Sequence, residues 1–263
     1  MNWVETTRRL LQTNYVGQQI RTFESTDSTN VRAMEWAESG GPSGAVVVAD
    51  SQTAGRGRLG RRWEGGEGES LLFSVIVRPD VPDASMGLLP LASGLAVVDA
   101  VTPLVRHELA LKWPNDVLLA GMKCAGVLVE GVRSADSRWA VVGIGINVNQ
   151  EVMPRALEQT AISLRQSAAA VIPRPVLLAS LLEALESRLH QLEHDRVTLL
   201  DDYRAALSGF GRTISLRLAD GKTVRGRLAG VLGSGALEME VGGTLRQFSA
   251  GDVSLGSERW VAS

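Results

Sequence analysis

The strongest constraint on the fold is a change of pattern at Gly209. Upstream of it, stretches with helical periodicity alternate with apolar strand-like runs, whereas only short strand-like runs occur downstream. Tight turns such as Ala219-Asp-Gly-Lys222 and Gly242-Gly243 separate the short runs, and such pairs between β-branched stretches are hairpin signals. The pattern predicts two domains: a larger one at 1–208 and a small β-barrel at 209–263.

The larger domain is predicted to combine long helices with buried strands. Residues 175–194 form the clearest helix, because six leucines recur on one of its faces. Residues 88–105 are apolar with small residues between, which predicts a buried helix. Buried strands are predicted at 44–50, 70–78, 127–132 and 139–147.

The charge balance limits what the chain can bind over a broad surface. It carries 27 basic and 29 acidic residues, which gives a net charge of −2. There is therefore no overall positive field that would hold the protein on DNA or RNA. Any anion has to be recognised locally.

Other global features predict the compartment. The one cysteine, Cys124, excludes an intramolecular disulfide framework and favours a reducing environment. The first residues, Met1-Asn-Trp-Val-Glu5, lack the basic region and apolar run of a signal peptide. No apolar run reaches the roughly 18 residues needed to cross a bilayer. We therefore expect a cytoplasmic protein without a membrane partner.

Residues 51–63 place four arginines within seven positions, spaced by glycines. Guanidinium groups match phosphate or carboxylate oxygens, and glycines let a ligand approach the backbone closely. From these residues alone, three interpretations stay open: a grip on a nucleic-acid backbone, a clasp for a small anion, or a solvated basic loop. The strands predicted on both sides place the stretch at a sheet edge, where α/β proteins hold their ligands.

Three further motifs add polar groups that could meet the same ligand. Asn115-Asp116 follows a proline turn, and an aspartate oxygen suits Mg²⁺. Lys123 opens a strand and has small residues around it. The glycines of Gly143-Ile-Gly145 leave one face of a strand bare, and Asn147 continues that face. Taken singly, each also has a plain structural explanation, as a turn, a surface lysine or close packing.

Two patterns that suggest chemistry have better structural explanations. His190-Gln-Leu-Glu-His194 matches the H-x-x-E-H zinc pattern. Both histidines, however, lie on the polar face of a predicted helix, and no third ligand is apparent. Cys124 begins an apolar strand and has no evident histidine partner, so we expect a buried structural thiol rather than a nucleophile.

The order of the motifs along the chain points to a family. The stretches Asp27-Ser-Thr-Asn30, 52–63, Lys112-Trp-Pro-Asn-Asp116, Lys123-Cys-Ala-Gly126 and Gly143-Ile-Gly-Ile-Asn147 together resemble the biotin–protein ligases. The resemblance is strong over residues 20–150, and the later helices and β-tail agree in kind. It implies an α+β fold: a mixed-sheet catalytic domain of the biotin/lipoate ligase (class II synthetase-like) type with helices packed on the sheet, followed by an SH3-like β-barrel.

The resemblance also implies roles for individual positions. Catalysis is implied for Lys123, Arg56 and Arg58. Biotin contacts are implied for Ser28, Thr29, Asn30, Gln52, Arg56, Gly57, Arg58 and Lys123. Contacts to ATP or the adenylate are implied for Arg58, Trp63, Lys112, Asn115, Asp116 and Asn147, with Asp116 also a Mg²⁺ ligand. Leu59 occupies a variable position of the motif and carries no catalytic role, and Arg61 and Arg62 stay unassigned.

A biotin–protein ligase forms biotinyl-5′-AMP from biotin and MgATP and transfers biotin to a lysine of a biotin carboxyl carrier domain, such as that of acetyl-CoA carboxylase. Members that also repress transcription carry an N-terminal DNA-binding domain. Only a short segment precedes the first motif here, so we expect no DNA partner. The sequence leaves open the oligomeric state, including a homodimer, the base that deprotonates the acceptor lysine, and the order of the arginine-rich loop without ligand. The alternatives are a lipoate–protein ligase and a nucleic-acid-binding module.

Overall fold

The computed structural model describes residues 3–63, 65–133 and 138–254. A seven-stranded sheet with the order β1-β2-β3-β7-β6-β5-β4 forms the centre of the larger domain. Its strands are β1 (Ile20–Thr26), β2 (Val46–Gln52), β3 (Ser70–Val77), β4 (Leu109–Lys112), β5 (Asp116–Leu119), β6 (Met122–Arg133) and β7 (Arg138–Asn147). β1 pairs with β2 in parallel and the other neighbours pair antiparallel. The mixed sheet confirms the predicted α+β class.

Helices cover both faces of this sheet. They are α1 (Trp3–Leu10), α2 (Thr29–Glu38), α3 (Leu89–Val101), α4 (Leu164–Ala168), α5 (Arg174–His194) and α6 (Arg196–Ala206). α3 and α5 pack against each other and the main core, and the predicted leucine face of α5 is buried there. α2 covers the opposite face, where Trp36 and Trp139 belong to a second apolar cluster. β3 is buried along its whole length, which explains its mostly apolar sequence.

α3 lies within a longer helical run that spans Asp83–Leu104. An 18-residue window of this run has a mean hydropathy of 1.6, so by length and composition it could cross a membrane. This finding corrects the expectation that no apolar run reaches that length. The physical reason for its composition is its place in the core, since 67% of the window is buried inside the protein.

The C-terminal domain is a five-stranded antiparallel sheet with the order β11-β10-β9-β8-β12. Its strands are β8 (Thr213–Arg217), β9 (Thr223–Val231), β10 (Leu237–Val241), β11 (Thr244–Phe248) and β12 (Asp252–Ser254). Gly242 and Gly243 join β10 to β11 with φ values of 59° and 78°, the left-handed backbone that a tight hairpin turn uses. The small β-domain is thus confirmed, whereas its boundary at residues 208–209 stays a prediction.

The hairpin of β4 and β5 contacts the C-terminal domain. It was not predicted, because each of its strands has only four residues. The N–H of Ser208 donates to the carbonyl of Leu111 at 2.8 Å. Trp113 Nε1 donates to the carbonyl of Gly235 at 2.9 Å. A Cβ at Gly235 would lie 2.2 Å from the carbonyl oxygen of Gly87, so the two backbones touch directly. This joint holds the C-terminal sheet against the edge of the larger domain.

Candidate active site

A cleft lies between the sheet, the start of α2 and the arginine loop, which we define as residues 53–63. The structure brings together most of the predicted site residues on the walls of this cleft: Ser28, Thr29, Asn30, Gln52, Arg56, Gly57, Arg58, Trp63, Asn115, Asp116 and Lys123.

Two predicted nucleotide contacts are not among the residues that line the cleft. Asn147, at the end of β7, is buried and its side-chain amide donates to the carbonyl of Ile162 at 3.4 Å. Lys112, at the end of β4, has its Nζ 3.9 Å from the carboxylate of Asp252. Neither side chain belongs to the lining, so their contacts with ATP stay predictions.

The start of α2 gives the cleft a polar, uncharged wall. Ser28, Thr29 and Asn30 are each at most 4% exposed. The first-turn N–H of Thr29 donates to Gln52 Oε1 at 2.7 Å, which satisfies one of the helix's open donors. With Oε1 engaged in this way, the N–H groups of the Gln52 amide are left to donate elsewhere.

Hydroxyl protons fix the direction of hydrogen bonding along this wall. Ser74 Oγ, on β3, lies 2.6 Å from Asn30 Oδ1 and 2.8 Å from Thr29 Oγ1. An amide oxygen only accepts, so Ser74 gives its one proton to Asn30. The proton of Thr29 then goes to Ser74 Oγ or to Gln52 Oε1, which lies 3.1 Å from Thr29 Oγ1. The lone pairs of Thr29 are then available to a ligand. The wall therefore offers an acceptor at Thr29 and donors at Gln52.

The alternating glycines of β7 make room for two side chains, as their spacing predicted. A Cβ at Gly143 would lie 2.0 Å from Asn30 Oδ1, and a Cβ at Gly145 would lie 2.6 Å from Trp63 Cε2. The indole of Trp63 thus rests flat against the bare strand. Its Nε1 is buried and has no hydrogen-bond partner within the described part of the chain. The exposed ring face lines the cleft beside the cations.

Lys123 begins the opposite, charged wall of the cleft. Its Nζ lies 2.7 Å from Asp116 Oδ1 and 5.5 Å from the centre of the Trp63 ring. The Lys123 side chain is 35% exposed, and that of Asp116 is 14% exposed. A cation that keeps part of its surface open can exchange its partner for an anionic ligand.

Arg58 extends the charged wall on the loop side. Its Nη1 donates to Asn115 Oδ1 at 3.1 Å and to the carbonyl of Gly251 at 3.4 Å. Burial lowers the pKa of Arg58, and the carboxylates of Asp116 and Asp252 oppose that effect. The contacts with Asn115 and Gly251 aim the guanidinium into the cleft from the larger and the C-terminal domain.

Asp252, just after Gly251, lines the cleft and was not predicted. Its carboxylate accepts from Arg61 and lies 3.4 Å from Arg217. Burial raises the pKa of Asp252, but the hydrogen bond from Arg61 and the charges of Lys112, Arg61 and Arg217 lower it overall. Its partner Arg61 is 191 positions away and in the other domain, so no local sequence signal could have revealed the pair.

The structure gives the surroundings of the two misleading patterns. Within the described ranges, no group of three or more histidine, cysteine or acidic side chains could hold a metal. The rings of His190 and His194 lie edge to face on α5, 4.3 Å apart. Cys124 is fully buried, and that burial raises the pKa of its thiol to about 12. It is a structural thiol, as predicted.

Comparisons with known proteins point to one family. The model of the biotin/lipoate A/B protein ligase family matches residues 22–147. The biotin–[acetyl-CoA-carboxylase] ligase of Mycobacterium tuberculosis is 39% identical over 240 residues, which make up 89% of this chain and 88% of that relative. The bifunctional ligase/repressor BirA of Bacillus subtilis is 34% identical over 250 residues, or 94% of this chain and 77% of that protein.

The solved structures agree with the sequence relatives. The biotin protein ligase from Aquifex aeolicus in complex with biotin and ATP matches with a TM-score of 0.79 and 29% identity, over 90% of this chain and 98% of that one. The match therefore extends over both the mixed sheet and the C-terminal domain. The chain belongs to the biotin/lipoate A/B protein ligase family and, within it, to the biotin–protein ligases.

Proposed function

We propose that this protein joins biotin to ATP as biotinyl-5′-AMP and then transfers the biotinyl group to a carrier-domain lysine. The observation that carries the proposal is the meeting of an uncharged hydrogen-bonding wall and a cationic wall in one cleft. Biotin has the same division, with a neutral ureido ring at one end and a carboxylate at the other. Lipoate lacks a ureido group, so the acceptor at Thr29 and the donors at Gln52 favour biotin.

In the first step, a carboxylate oxygen of biotin attacks the α-phosphorus of ATP. An O–P bond forms, the bond to the β-phosphate oxygen breaks, and pyrophosphate leaves. The carboxylate is ionised at neutral pH, so no base is needed. The obstacle is repulsion, since two unit charges about 4 Å apart repel by roughly 1 kcal/mol in water and about 4 kcal/mol at an effective dielectric of 20.

Three cations are proposed to offset this repulsion. Lys123 and Arg58 lie on the charged wall, and Arg56 lies on the arginine loop at the cleft mouth. Fixed positive charges aimed at the reacting oxygens favour the transition state, because they need no reorganisation as charge develops there. The Trp63 ring is proposed to stack on adenine.

Asp116 would hold Mg²⁺ together with phosphate oxygens and water, because a carboxylate is the ligand type that this ion takes in nucleotide sites. The ion would supply further positive charge against the phosphates. Asp116 pairs with Lys123 at 2.7 Å. If a phosphate oxygen accepted from Lys123 in place of Asp116, the Asp116 carboxylate would be free to bind the metal.

In the second step, the amine of an acceptor lysine attacks the acyl carbon of the adenylate. An amide bond forms, the acyl–phosphate bond breaks, AMP leaves and the lysine loses a proton. Biotin–[acetyl-CoA-carboxylase] ligases are among the relatives, which supports a carboxylase carrier domain as the partner. The arginine loop would exclude water from the reactive anhydride. We also propose a cytoplasmic location and no DNA partner.

A mass measurement tests the proposed function. The protein is incubated with MgATP, biotin and a biotin carboxyl carrier domain, and the expected result is one added biotinyl group on the carrier. A parallel reaction with lipoate is expected to give no adduct. Lipoylation in place of biotinylation, or no adduct with either acid, would overturn the proposal.

A further inference from the structure

Glu130, on β6, lies behind the cleft and holds two cleft residues at once. Its Oε2 accepts from Asn30 Nδ2 at 2.7 Å and from Arg56 Nη2 at 3.1 Å. Glu130 is not among the residues that line the cleft. It borders the groove on the outer side of the arginine loop. One carboxylate oxygen therefore connects the uncharged wall with the loop.

The amide of Asn30 is held in one orientation by these contacts. Its Oδ1 accepts from Ser74 at 2.6 Å, while its Nδ2 donates to Glu130 and to the carbonyl of Leu128 at 3.3 Å. The side chain is buried above Gly143 and has no space to rotate elsewhere. A flipped amide would turn its oxygen toward the carboxylate and the carbonyl, acceptor against acceptor. Glu130, together with the more distant carbonyl of Leu128, thus sets which end of Asn30 faces Ser74.

This orientation is passed along the uncharged wall. Because Asn30 presents an acceptor, Ser74 donates to it and has no proton left for Thr29. The hydroxyl of Thr29 donates to Ser74 or to Gln52 Oε1 at 3.1 Å, and both of its lone pairs stay open to a ligand. A flipped Asn30 would donate to Ser74 instead, and Ser74 would then donate to Thr29. The hydrogen-bond polarity that a ligand meets at Thr29 would be disturbed, although no residue in contact with the ligand had changed.

We propose that Glu130 is a positioning residue for the biotin side of the reaction. It fixes the orientation of Asn30 and, through Ser74, the polarity of Thr29, and it holds Arg56 at the cleft mouth. This role rests on the proposed function and deepens it. Glu130 acts through these residues and does not touch the substrate.

Steady-state kinetics of pyrophosphate release test the role, with biotin and ATP varied in turn. We expect Glu130→Ala to raise the KM for biotin about tenfold or more, the size expected for lost hydrogen bonds to a charged group. The KM for ATP is expected to change less than about threefold. Glu130→Gln, whose amide oxygen can still accept, is expected to raise the KM for biotin by only about threefold.

Glu240→Gln is the matched control. Glu240 also accepts from an arginine across a strand pair, since its Oε2 lies 2.8 Å from Arg227 Nη2 on the C-terminal sheet. Loss of that ion pair is expected to leave both KM values unchanged. Circular dichroism and urea unfolding establish whether each variant is folded.

A second pair of variants tests the role even if Glu130→Ala does not fold. It exchanges the hydrogen-bond donor at position 30 and the acceptor at position 130. Asn30→Asp places an acceptor opposite Glu130 and is expected to raise the KM for biotin at least about tenfold. Glu130→Gln in the same chain restores a donor opposite that acceptor. The double variant is expected to recover at least about threefold of the loss, which a merely structural defect would not do.

The outcomes separate this role from the proposed function. Equal shifts of both KM values in Glu130→Ala, no shift at all, or a double variant no better than Asn30→Asp would overturn the positioning role. The unsubstituted protein is measured alongside. If it released no pyrophosphate with biotin and MgATP, the proposed function would fail, whatever the variants did.

Discussion

The two walls of the cleft satisfy their polar groups in different ways. On the uncharged wall, Ser74 is fully buried, Thr29 and Asn30 are 4% exposed, and neutral hydrogen bonds of 2.6–2.8 Å connect them. On the charged wall, Lys123 is 35% exposed and pairs with Asp116. The hydrogen bonds within the first wall are already formed before a ligand binds. The second wall consists of ion pairs in which an anionic ligand can take the place of the carboxylate.

This difference separates recognition from reaction. A buried chain of neutral hydrogen bonds is rigid, and a group removed from it leaves a partner unsatisfied. We therefore expect changes there to affect stability and biotin affinity. Partly exposed ion pairs contribute little to stability, so changes on the charged wall are expected to affect the rate of adenylate formation.

Lys123→Ala is expected to have the largest effect. Removal of one cation aimed at the reacting phosphate is expected to slow adenylate formation about 10²–10³-fold, as for the loss of one preorganised donor. The fold is expected to persist, because Lys123 is partly exposed. Single-turnover pyrophosphate release measures the rate, and circular dichroism measures the fold.

The matched control for that variant is Lys222→Ala, in the β8–β9 turn. Its side chain is 80% exposed and pairs with nearby Asp220 at 3.0 Å. It is expected to react at the normal rate. A folded Lys123→Ala protein that also reacted at a near-normal rate would contradict the proposed role of the charged wall.

Gly145→Ala tests the Trp63 surface between the two walls. The added Cβ would lie 2.6 Å from Trp63 Cε2 and force the ring to move. A stacking contact contributes about 1–3 kcal/mol per base, so we expect the KM for ATP to rise about tenfold. In the control, Gly131→Ala on the neighbouring strand, the nearest atom lies 3.6 Å from the added Cβ. Equal effects of the two substitutions on the KM for ATP would contradict adenine stacking on Trp63.

Ser74→Ala tests the uncharged wall. The change leaves the buried Oδ1 of Asn30 without a donor, which is expected to cost about 1–3 kcal/mol of unfolding free energy. The KM for biotin is expected to rise about three- to tenfold while the KM for ATP stays constant. Urea unfolding and pyrophosphate kinetics measure these quantities.

Ser93→Ala gives a comparison at equal burial. The Ser93 hydroxyl is also fully buried, but it donates to the carbonyl of Leu89 within α3, and Ser93 is not among the residues that line the cleft. We expect a smaller loss of stability and no change in the KM for biotin. A Ser74→Ala protein with normal biotin affinity would show that the hydrogen bonds within the uncharged wall do not affect ligand binding.

The sequence predicted the cleft because its residues occur in short stretches of unusual composition, each recognisable by itself. The arginine loop and the glycines of β7 are examples, and the leucine face predicted α5 in the same way. Motif membership did not give side-chain direction, however. Lys112 and Asn147 belong to the motifs, yet neither lines the cleft. Their direction depends on which segments pack over the ends of β4 and β7.

Residues that act through long-range contacts had no local signal. Glu130 ends an apolar stretch of β6, and its partners Asn30 and Arg56 are 100 and 74 positions away. Asp252 follows a turn in a domain predicted as a separate barrel. A carboxylate acquires such a role only from the cations and amides that the fold brings to it, so its sequence neighbours carry no information about the role.

Asp252→Asn, at the rim of the charged wall, is expected to have the smallest effect. The folded pKa of Asp252 is lowered below its unfolded value of about 3.9. Its charge therefore stabilises the fold above about pH 4, and this contribution is lost as the pH falls further. Because Arg61 is 54% exposed, the variant is expected to lose less than about 1 kcal/mol at neutral pH. In urea unfolding, this difference from the unsubstituted protein should shrink steadily as the pH falls below about 4. A difference constant with pH would assign it to altered packing rather than to the ion pairs of the charged wall.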